Sequence, residues 1–407
     1  MKNQTTLQPV TSNQSSVTKI GITGQSGFIG THLYNTLGLF PEKYKRIECH
    51  NEYFTNPEQL KEFICQCDVI VHLAALNRHN DPNMIYYTNV DLVKKLIAAM
   101  NAAHVRPHVL FSSSTQEDRD NPYGKSKQLG RELLASWAEE HGGQFTGLVI
   151  PNVYGPFGRP NYNSVVATFC HQLTHGGFPE IHVDGQMKLI YVGELVKEII
   201  NQIEMHKESD HTTRVARCSN EPNIAKRSKT VHILHTAEIN VSQLLSLLKS
   251  YMESYFINGV IPDLRNSFER NLFNTFVCFI DHKSFFPFML KKNTDNRGSF
   301  VEIIKLNSGG QVSFSTTVPG VVRGNHFHIR KAERFAVIKG KARIDIRRIG
   351  TDKILHFELN GENPSFVDMP IWFSHNITNV GEDELLTVFW ISEHYNPEDP
   401  DTFFETV

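Results

Sequence analysis

The chain has little excess charge, few cysteines and no long apolar run. Its 407 residues carry 41 Lys and Arg against 43 Asp and Glu, a formal net charge of −2. This balance argues against a nucleic-acid partner, and the basic residues 226–229 fit a solvated loop. The six cysteines lack the spacing of a disulfide framework or a zinc knuckle, which favours reduced thiols. No apolar run reaches the ~18 residues of a membrane span. We therefore expect a cytoplasmic protein without a membrane partner.

Two patterns divide the chain after a polar N-terminal stretch that lacks the apolar core of a signal peptide. In the first, apolar strands such as residues 68–75 alternate with helical stretches such as residues 89–100, which is typical of a parallel sheet. In the second, short alternating segments are separated by turn residues, as in an antiparallel barrel or sandwich. We predict a disordered extension (1–18), an α/β Rossmann-type domain (19–284) and an all-β domain (285–407).

A glycine-rich segment, GITGQSGFIG, follows the first predicted strand. Gly24, Gly27 and Gly30 would let backbone amides approach a pyrophosphate, whose charge is favoured by the N-terminus of the next helix. Such spacing also occurs in ordinary tight turns. Its position between a strand and a helix favours a nucleotide-cofactor loop.

Tyr123 and Lys127 are four residues apart and follow the serine triplet 112–114. On a helix they share a face, so the ammonium could favour the phenolate and lower the tyrosine pKa from about 10. Such a tyrosine can protonate a carbonyl oxygen while hydride reaches the carbon, and a serine at a strand end can hold that oxygen. The alternative is an ordinary exposed helix that carries a tyrosine and a lysine.

These motifs resemble the extended short-chain dehydrogenase/reductase family, in the branch that handles nucleotide sugars. TGQSGFIG, VHLAA, Asn89, the serine triplet, YxxxK and residues 152–155 occur in the family's order. The resemblance implies the catalytic trio Ser114, Tyr123 and Lys127. It implies cofactor contacts from Gly24, Gly27, Phe28, Ile29, Gly30, His50, Leu73, Ala74, Ala75, Tyr123 and Lys127. It implies substrate contacts from Asn77, Arg78, Asn152, Arg159, Asn161, Asn163 and Ser164.

The second half contains GNHFHIRKAERFAVIKG, in which His326 and His328 share a strand face because residues i and i+2 point the same way. Glu333 follows across a turn, and a barrel can bring His375 alongside. Three imidazoles and a carboxylate suit zinc, iron, manganese or nickel. Alternating histidines alone are more often surface or core residues, but the complete motif favours a metal site.

This motif resembles the first motif of the cupins, and residues 370–379 resemble the second, with Trp372 in place of a glycine. The resemblance implies a jelly-roll barrel that holds a divalent metal, with zinc as the first choice, through His326, His328, Glu333 and His375. Residues 295–302 and 320–326 are also similar to deoxythymidine-diphosphate-sugar 3,5-epimerases. That similarity implies substrate contacts from Arg297, Phe300 and Glu302.

The two halves together resemble a family of bifunctional capsular-polysaccharide enzymes, over nearly the whole chain after residue 18. The resemblance implies C-3 epimerisation of UDP-2-acetamido-2,6-dideoxy-4-hexulose in the cupin. NADPH-dependent reduction of the C-4 ketone to UDP-2-acetamido-2,6-dideoxy-L-talose would follow in the first domain. One ketone serves both steps, because it acidifies the C-3 proton and is then reduced. Related cupins and reductases usually pair, so we expect a homodimer.

Other interpretations stay open on sequence alone. They are an NAD-dependent C-4 epimerase/reductase with a structural metal, a cupin oxygenase joined to a reductase, and a non-catalytic nucleotide-sugar sensor. At the end of the second strand a carboxylate would favour NAD and an arginine NADP, and residues 47–52 leave this choice open. The exact sugar and nucleotide, the metal's identity and role, and the C-3 base are likewise undetermined.

Overall fold

The computed structural model describes residues 17–216, 227–296, 298–307 and 309–407. The predicted extension 1–18 therefore lies almost entirely outside the described residues, and β1 already begins at Thr18. None of the described helices is both long and apolar enough to cross a membrane. The helices are α1 (Phe28–Gly38), α2 (Pro57–Cys65), α3 (Pro82–Ala103), α4 (Pro122–His141), α5 (Val165–Thr174), α6 (Val192–Ala216), α7 (Val241–Tyr251), α8 (Ser267–Val277) and α9 (His282–Phe285).

The strands fall into two groups along the chain. The first group is β1 (Thr18–Thr23), β2 (Tyr44–Ile47), β3 (Val69–His72), β4 (His108–Ser114), β5 (Gln144–Ile150), β6 (Asn152–Tyr154), β7 (Gln186–Tyr191), β8 (Ser228–His232), β9 (Ala237–Asn240) and β10 (Val260–Ile261). The second group is β11 (Phe288–Met289), β12 (Lys292–Asp295), β13 (Gly298–Val301), β14 (Lys305–Leu306), β15 (Gln311–Thr317), β16 (Val322–Phe327), β17 (Glu333–Lys339), β18 (Lys341–Arg348), β19 (Ile354–Asn360), β20 (Ser365–Met369), β21 (Phe373–Asn379), β22 (Leu385–Ile391) and β23 (Phe403–Phe404).

The first group builds a six-stranded parallel sheet in the order β2-β1-β3-β4-β5-β8. Its inner strands are largely apolar because helices cover both faces, and all four residues of β3 are buried. The chain runs from β1 outward to β2 and then crosses to β3 on the other side. The carboxyl ends of β1 and β3 therefore form a topological switch point, where open α/β sheets bind ligands. The predicted Rossmann-type fold is confirmed.

Helix α4 begins at a capping signal that fixes the position of the predicted catalytic residues. The Asn121 side chain accepts a hydrogen bond of 2.8 Å from Gly124 N, and Pro122 occupies the first helical position. Tyr123 consequently lies in the first turn, and Lys127 lies one turn later on the same face. The helix ends at Gly142, whose φ of +72° is a left-handed cap.

The second group forms two five-stranded antiparallel sheets, β11-β20-β17-β22-β15 and β19-β18-β21-β16-β23. A shared apolar core, which includes Ile344, Ile346 and Val367, is buried in this half. This architecture agrees with the predicted β-rich domain. Its assignment to the cupin barrels stays a prediction.

The two halves are in direct contact. The Tyr255 hydroxyl donates a 2.5 Å hydrogen bond to Asp368, and the Arg334 guanidinium donates to the Gly259 carbonyl at 2.8 Å. Trp390 on β22 belongs to the main hydrophobic core of the first half. The boundary at residue 285 remains a prediction, since strand pairing between β10 and β14 also joins the two parts.

Candidate active sites

A pocket of about 860 Å³ opens at the carboxyl ends of the parallel strands. The glycine loop after β1, the segment after β3, the end of β4 and the start of α4 all contribute to it. Such a volume suits a cofactor or substrate of substantial size. The predicted residues that line it are Gly24, Gly27, Phe28, Ile29, Gly30, Leu73, Ala74, Ala75, Asn77, Ser114, Tyr123, Lys127, Asn152 and Asn163.

The glycine loop has the backbone geometry that a dinucleotide needs. Gly24 has φ of +72°, a conformation that favours glycine, and its carbonyl accepts from Gly27 N at 3.0 Å. A Cβ atom on Gly30 would lie 2.3 Å from the Gly24 oxygen, so a larger residue would disrupt the turn. The N-terminus of α1 faces the same pocket, where its dipole favours a phosphate. These residues fit a dinucleotide cofactor.

Several predicted ligand residues do not line this pocket. His50 has a side chain that is 52% exposed and lies 3.9 Å from Glu48, whereas the neighbouring Asn51 and Phe54 line the pocket. Asn51 belongs to the segment 47–52 that the sequence connects with the choice of coenzyme, whereas Phe54, farther along the short 3₁₀ helix (Asn51–Thr55) beyond β2, carries no such signal.

The predicted residues 159–164 build a loop beside the pocket. Arg78 donates to the carbonyls of Asn161 and Tyr162 at 3.0 and 3.3 Å. The Arg159 guanidinium lies 4.8 Å from the Tyr162 ring centroid. Ser164 caps α5 through a 3.2 Å bond from Ala167 N. Of this group, only Asn163 is among the pocket-lining residues, and it donates to the Asn77 carbonyl at 3.2 Å.

Ser114, Tyr123 and Lys127 all face the same pocket. The Lys127 ammonium donates to the Ser112 carbonyl at 2.8 Å and lies 5.7 Å from the centroid of the Tyr123 ring. Ser114 is the last residue of β4, and its hydroxyl accepts from Gln116 N at 3.2 Å. Gln116 also lines the pocket, although its sequence position gave no functional signal.

The pKa values of this trio differ from the sequence-based expectation. Burial lowers the pKa of Lys127 to about 8. Burial also raises the pKa of Tyr123 to about 12, and the neighbouring Tyr162 adds to this shift. The expected decrease for Tyr123 is therefore wrong for this state of the protein. The physical reason is that Lys127 is directed at the Ser112 carbonyl, while desolvation disfavours the phenolate.

The structure brings His326, His328, Glu333 and His375 together, with one ligand atom from each within 4.8 Å of all the others. The Glu333 carboxylate lies 3.0 Å from His375 Nε2, 3.3 Å from His328 Nε2 and 3.8 Å from His326 Nε2. His326 on β16 pairs directly with His375 on β21. A register shift between Gly324 and His326 bends β16 at this point, as bulges beside functional sites do.

The ring nitrogens of this cluster are oriented for a cation. His328 Nδ1 donates to the Asp401 carbonyl, and His375 Nδ1 donates to the Phe373 carbonyl at 3.1 Å. Because a carbonyl can only accept, each Nδ1 carries a proton, and in the neutral imidazole the Nε2 lone pair then points into the cluster and is available to a cation. His328 Nε2 is buried and has no hydrogen-bond partner. This orphaned atom and the donor set fit a divalent metal.

Trp372 occupies the position where the cupin motif has a glycine, and it adopts a glycine-like backbone. Its φ is +62°, in the left-handed region. Its amide donates to the His328 carbonyl at 2.7 Å, and its ring stacks on Phe327 at 5.7 Å. The edge of the ring meets His32 of α1 at 5.9 Å. Packing and hydrogen bonds thus hold the turn that the glycine would otherwise provide.

Of the three substrate residues predicted from the 3,5-epimerase motif, the structure describes the side chain of one. Arg297 lies outside the described residues. Phe300 belongs to β13, and its side chain is likewise outside the description. Glu302 is described, and it lies 3.0 Å from Lys305 with a side chain that is 58% exposed.

Comparisons with known proteins agree with this two-part construction. Residues 20–216 match the NAD dependent epimerase/dehydratase family, and residues 293–403 match the polysaccharide biosynthesis C-terminal domain. The UDP-2-acetamido-2,6-beta-L-arabino-hexul-4-ose reductase of Pseudomonas aeruginosa is 31% identical over 390 residues, which cover 95% of this chain and 98% of that protein.

A solved structure and a second relative extend the likeness. The capsular polysaccharide assembling protein CapF from Staphylococcus aureus is 33% identical, with a TM-score of 0.59 over 95% of this chain and all of that one (100%). The spore coat polysaccharide biosynthesis protein SpsL of Bacillus subtilis is 27% identical over 122 residues, 28% of this chain and 81% of that protein. The chain therefore belongs to the NAD dependent epimerase/dehydratase family, within the group that includes CapF and the Pseudomonas reductase.

Proposed function

We propose that the chain is a bifunctional UDP-sugar enzyme of capsule or other surface-polysaccharide precursor synthesis. It inverts C-3 of UDP-2-acetamido-2,6-dideoxy-4-hexulose in its second half and reduces the C-4 ketone in its first half. The product is UDP-2-acetamido-2,6-dideoxy-L-talose. The observation that carries the proposal is the pocket in which the dinucleotide loop meets Ser114, Tyr123 and Lys127. The end-to-end similarity to a protein named as a hexulose reductase supports the substrate class.

The reduction is assigned to the pocket of the first half. NADPH, when bound there, supplies a hydride to the carbonyl carbon. Ser114 at the end of β4 holds the ketone oxygen, and the Tyr123 hydroxyl donates its proton to that oxygen. With its pKa raised to about 12, Tyr123 remains protonated at neutral pH and is ready to act as the acid. Lys127, buried behind the tyrosine, orients the ring and the cofactor ribose.

The inversion is assigned to the cluster in the second half. A proton on the carbon beside a ketone is acidic enough for a positioned base to remove, and reprotonation from the opposite face inverts C-3. A divalent metal, zinc in this proposal, would supply charge stabilisation for the developing oxyanion. His326, His328, Glu333 and His375 would hold it. His326 has the most exposed side chain of these histidines, at 23%, so the cluster is open on the His326 side.

The proposal includes a cytoplasmic homodimer that uses NADPH. The family resemblance of the two joined halves supports this choice of coenzyme. Asn51 lines the pocket beyond β2, where the ribose of a dinucleotide would lie, and it presents no carboxylate against a 2′-phosphate. Cofactor preference is measurable by running the reduction with NADH against NADPH.

An isotope experiment tests the two-site proposal. In deuterated water, with the 4-keto sugar and no NADPH, the protein should place deuterium at C-3. Addition of NADPH should then give net coenzyme consumption, which an internally recycling C-4 epimerase would not show. His375→Ala should reduce the exchange, while Tyr123→Phe should abolish the reduction and spare the exchange. Equal loss of both reactions in either variant would contradict the assignment of one step to each site.

A further inference from the structure

We propose that Asp401 is a positioning residue of the metal cluster and that the C-terminal segment 393–405 sets how firmly the metal is held. The inference rests on the metal site of the proposed function. It concerns a segment to which the sequence motifs assign no role. Two separate contacts of Asp401, one from its carboxylate and one from its carbonyl, meet the connection between β16 and β17, which includes His328.

The carboxylate of Asp401 organises the turn between two ligands. It accepts hydrogen bonds from the backbone amides of Ile329, Arg330 and Lys331 at 3.3, 3.0 and 2.9 Å. These amides belong to the short connection from His328 to Glu333. Asp401 is 4% exposed, so these bonds are largely protected from competing water. One side chain therefore fixes the spacing between two of the four ligands.

The carbonyl of Asp401 acts on His328 directly. It accepts from His328 Nδ1, which leaves the lone pair of Nε2 directed at Glu333. Asp401 has φ of +43°, in the left-handed region. In this conformation the carbonyl and the carboxylate of one residue both contact the connection between β16 and β17. A residue that only caps the turn would use its carboxylate and would not need the contact between its carbonyl and His328.

Neighbouring residues of the segment 393–405 add further contacts to the same region. Lys331 Nζ donates to the Pro400 carbonyl at 2.7 Å, and Arg330 forms ion pairs of 3.0 Å with Glu393 and Asp399. Strand β23 pairs Phe404 with His326.

The segment also reaches the strand of the remaining histidine, because the Ser374 hydroxyl donates to the Glu405 carbonyl next to His375. The segment thus touches each histidine or its immediate neighbour.

The experiment measures zinc release from the full-length, zinc-loaded protein into an excess of a colorimetric chelator. Partners that orient metal ligands typically contribute about 10–100-fold to metal affinity. We expect Asp401→Ala to release zinc about 10–100-fold faster than the wild type. Asp401→Asn keeps one oxygen acceptor for the turn amides but loses the second carboxylate oxygen and the charge, so it should release zinc faster than the wild type, by less than about tenfold. Asp352→Ala, an exposed site on the same half, is the matched control and should release zinc at the wild-type rate.

Thermal unfolding separates positioning from simple structural support. The stabilisation by zinc, which is the difference in Tm between loaded and metal-free protein, should shrink in Asp401→Ala. A residue that only caps the turn would lower both Tm values equally and leave the release rate unchanged, and that result would overturn the inference. If the alanine variant does not fold, Asp401→Asn decides: release faster than in Asp352→Ala supports the inference, and equal release overturns it.

A failure of the metal site itself is recognisable by a different result. Wild-type protein that retains no zinc, or any other divalent metal, after loading would overturn the cluster as a metal site and the role of Asp401 with it. Zinc retained equally by the wild type and all Asp401 variants would overturn the role of Asp401 alone.

Discussion

The two candidate sites are built in opposite ways. The first is an open cavity of about 860 Å³ at the edge of a parallel sheet, lined by the glycine loop, the ends of strands and the start of α4. The second is a compact cluster on paired strands, in which His375 is completely buried (0% exposed) and Glu333 is 7% exposed. A large ligand needs space and backbone amides, whereas a cation needs a few atoms held in fixed directions.

The difference extends to electrostatics. In the first site, burial disfavours both the Lys127 ammonium and the Tyr123 phenolate, so Tyr123 stays neutral and Lys127 keeps its positive charge only below about pH 8. In the second, burial opposes ionisation of Glu333, but the three histidines around its carboxylate outweigh this effect and hold the Glu333 pKa well below its usual range. The first site therefore holds a cation that burial destabilises, while the second holds a carboxylate that a bound cation can use.

The largest expected effect separates the sites by chemistry. Tyr123→Phe removes the proton donor of the reduction, so we expect the rate of NADPH oxidation with the ketone to fall about 10²–10⁴-fold. Deuterium exchange at C-3 should continue at the wild-type rate. Tyr87→Phe, at a position that is 65% exposed on α3, is the control and should retain both activities. A parallel loss of exchange would mean that the two sites are not independent.

The second-largest expected effect concerns the metal cluster. Glu333→Gln removes the carboxylate from the three-histidine cluster, so bound zinc should fall to well below one per chain as measured by atomic emission. C-3 exchange should fall with it, while reduction of a ketone already inverted at C-3 should persist. Glu382→Gln, exposed on the same half, should keep its zinc. If zinc-free protein still exchanged the C-3 proton at the wild-type rate, the metal would have no part in the inversion.

Patterns that are local in sequence predicted most of both sites. The glycine loop, the serine strand end and the tyrosine–lysine helix each occupy one short segment, and parallel topology brings their ends to one edge. His326, His328 and Glu333 lie within eight positions, and strand periodicity predicts their common direction. Helix α3, expected over residues 89–100, in fact begins at Pro82, because Asp81 caps the helix and accepts from Asn83 N at 2.9 Å.

Features that depend on long-range packing could not be predicted in this way. Asp401 follows His328 by 73 residues, and nothing in its local sequence indicates that it contacts a ligand. Trp372 stands where the cupin motif has a glycine, and the residues that pack on it there, His32 and Phe327, are distant from it in sequence. The Tyr123 pKa was misjudged because helical spacing predicts proximity to Lys127 but not where the ammonium points.

The third effect is a pH dependence that only the reduction should show, a decline in kcat/KM of about tenfold per pH unit. Lys127 has its pKa lowered to about 8, so it loses its positive charge as pH rises through that value. We expect kcat/KM for reduction to decline above about pH 8, because this parameter reports the free enzyme. Lys127→Arg should be slower but flat to pH 10, since a guanidinium stays charged beyond about pH 12. C-3 exchange should show no such decline at Lys127's pKa. A decline shared by wild type and Lys127→Arg would assign it to another group.

The smallest expected effect concerns Trp372, which contacts His32 of α1 in the first half and Phe327 of β16 in the second. Both Trp372→Ala and Trp372→Gly lose the ring that packs between His32 and Phe327, a change that typically costs about 3–5 kcal/mol in a core. Only glycine adopts φ of +62° without strain, which costs other residues about 1–2 kcal/mol. After allowance for glycine's greater entropy in the unfolded chain, Trp372→Gly should be the more stable of the two by about 1 kcal/mol. Denaturant unfolding of the metal-free proteins measures this difference. A more stable alanine variant would show that the turn relaxes out of the left-handed region once the ring is gone, so that Trp372 itself imposes the conformation.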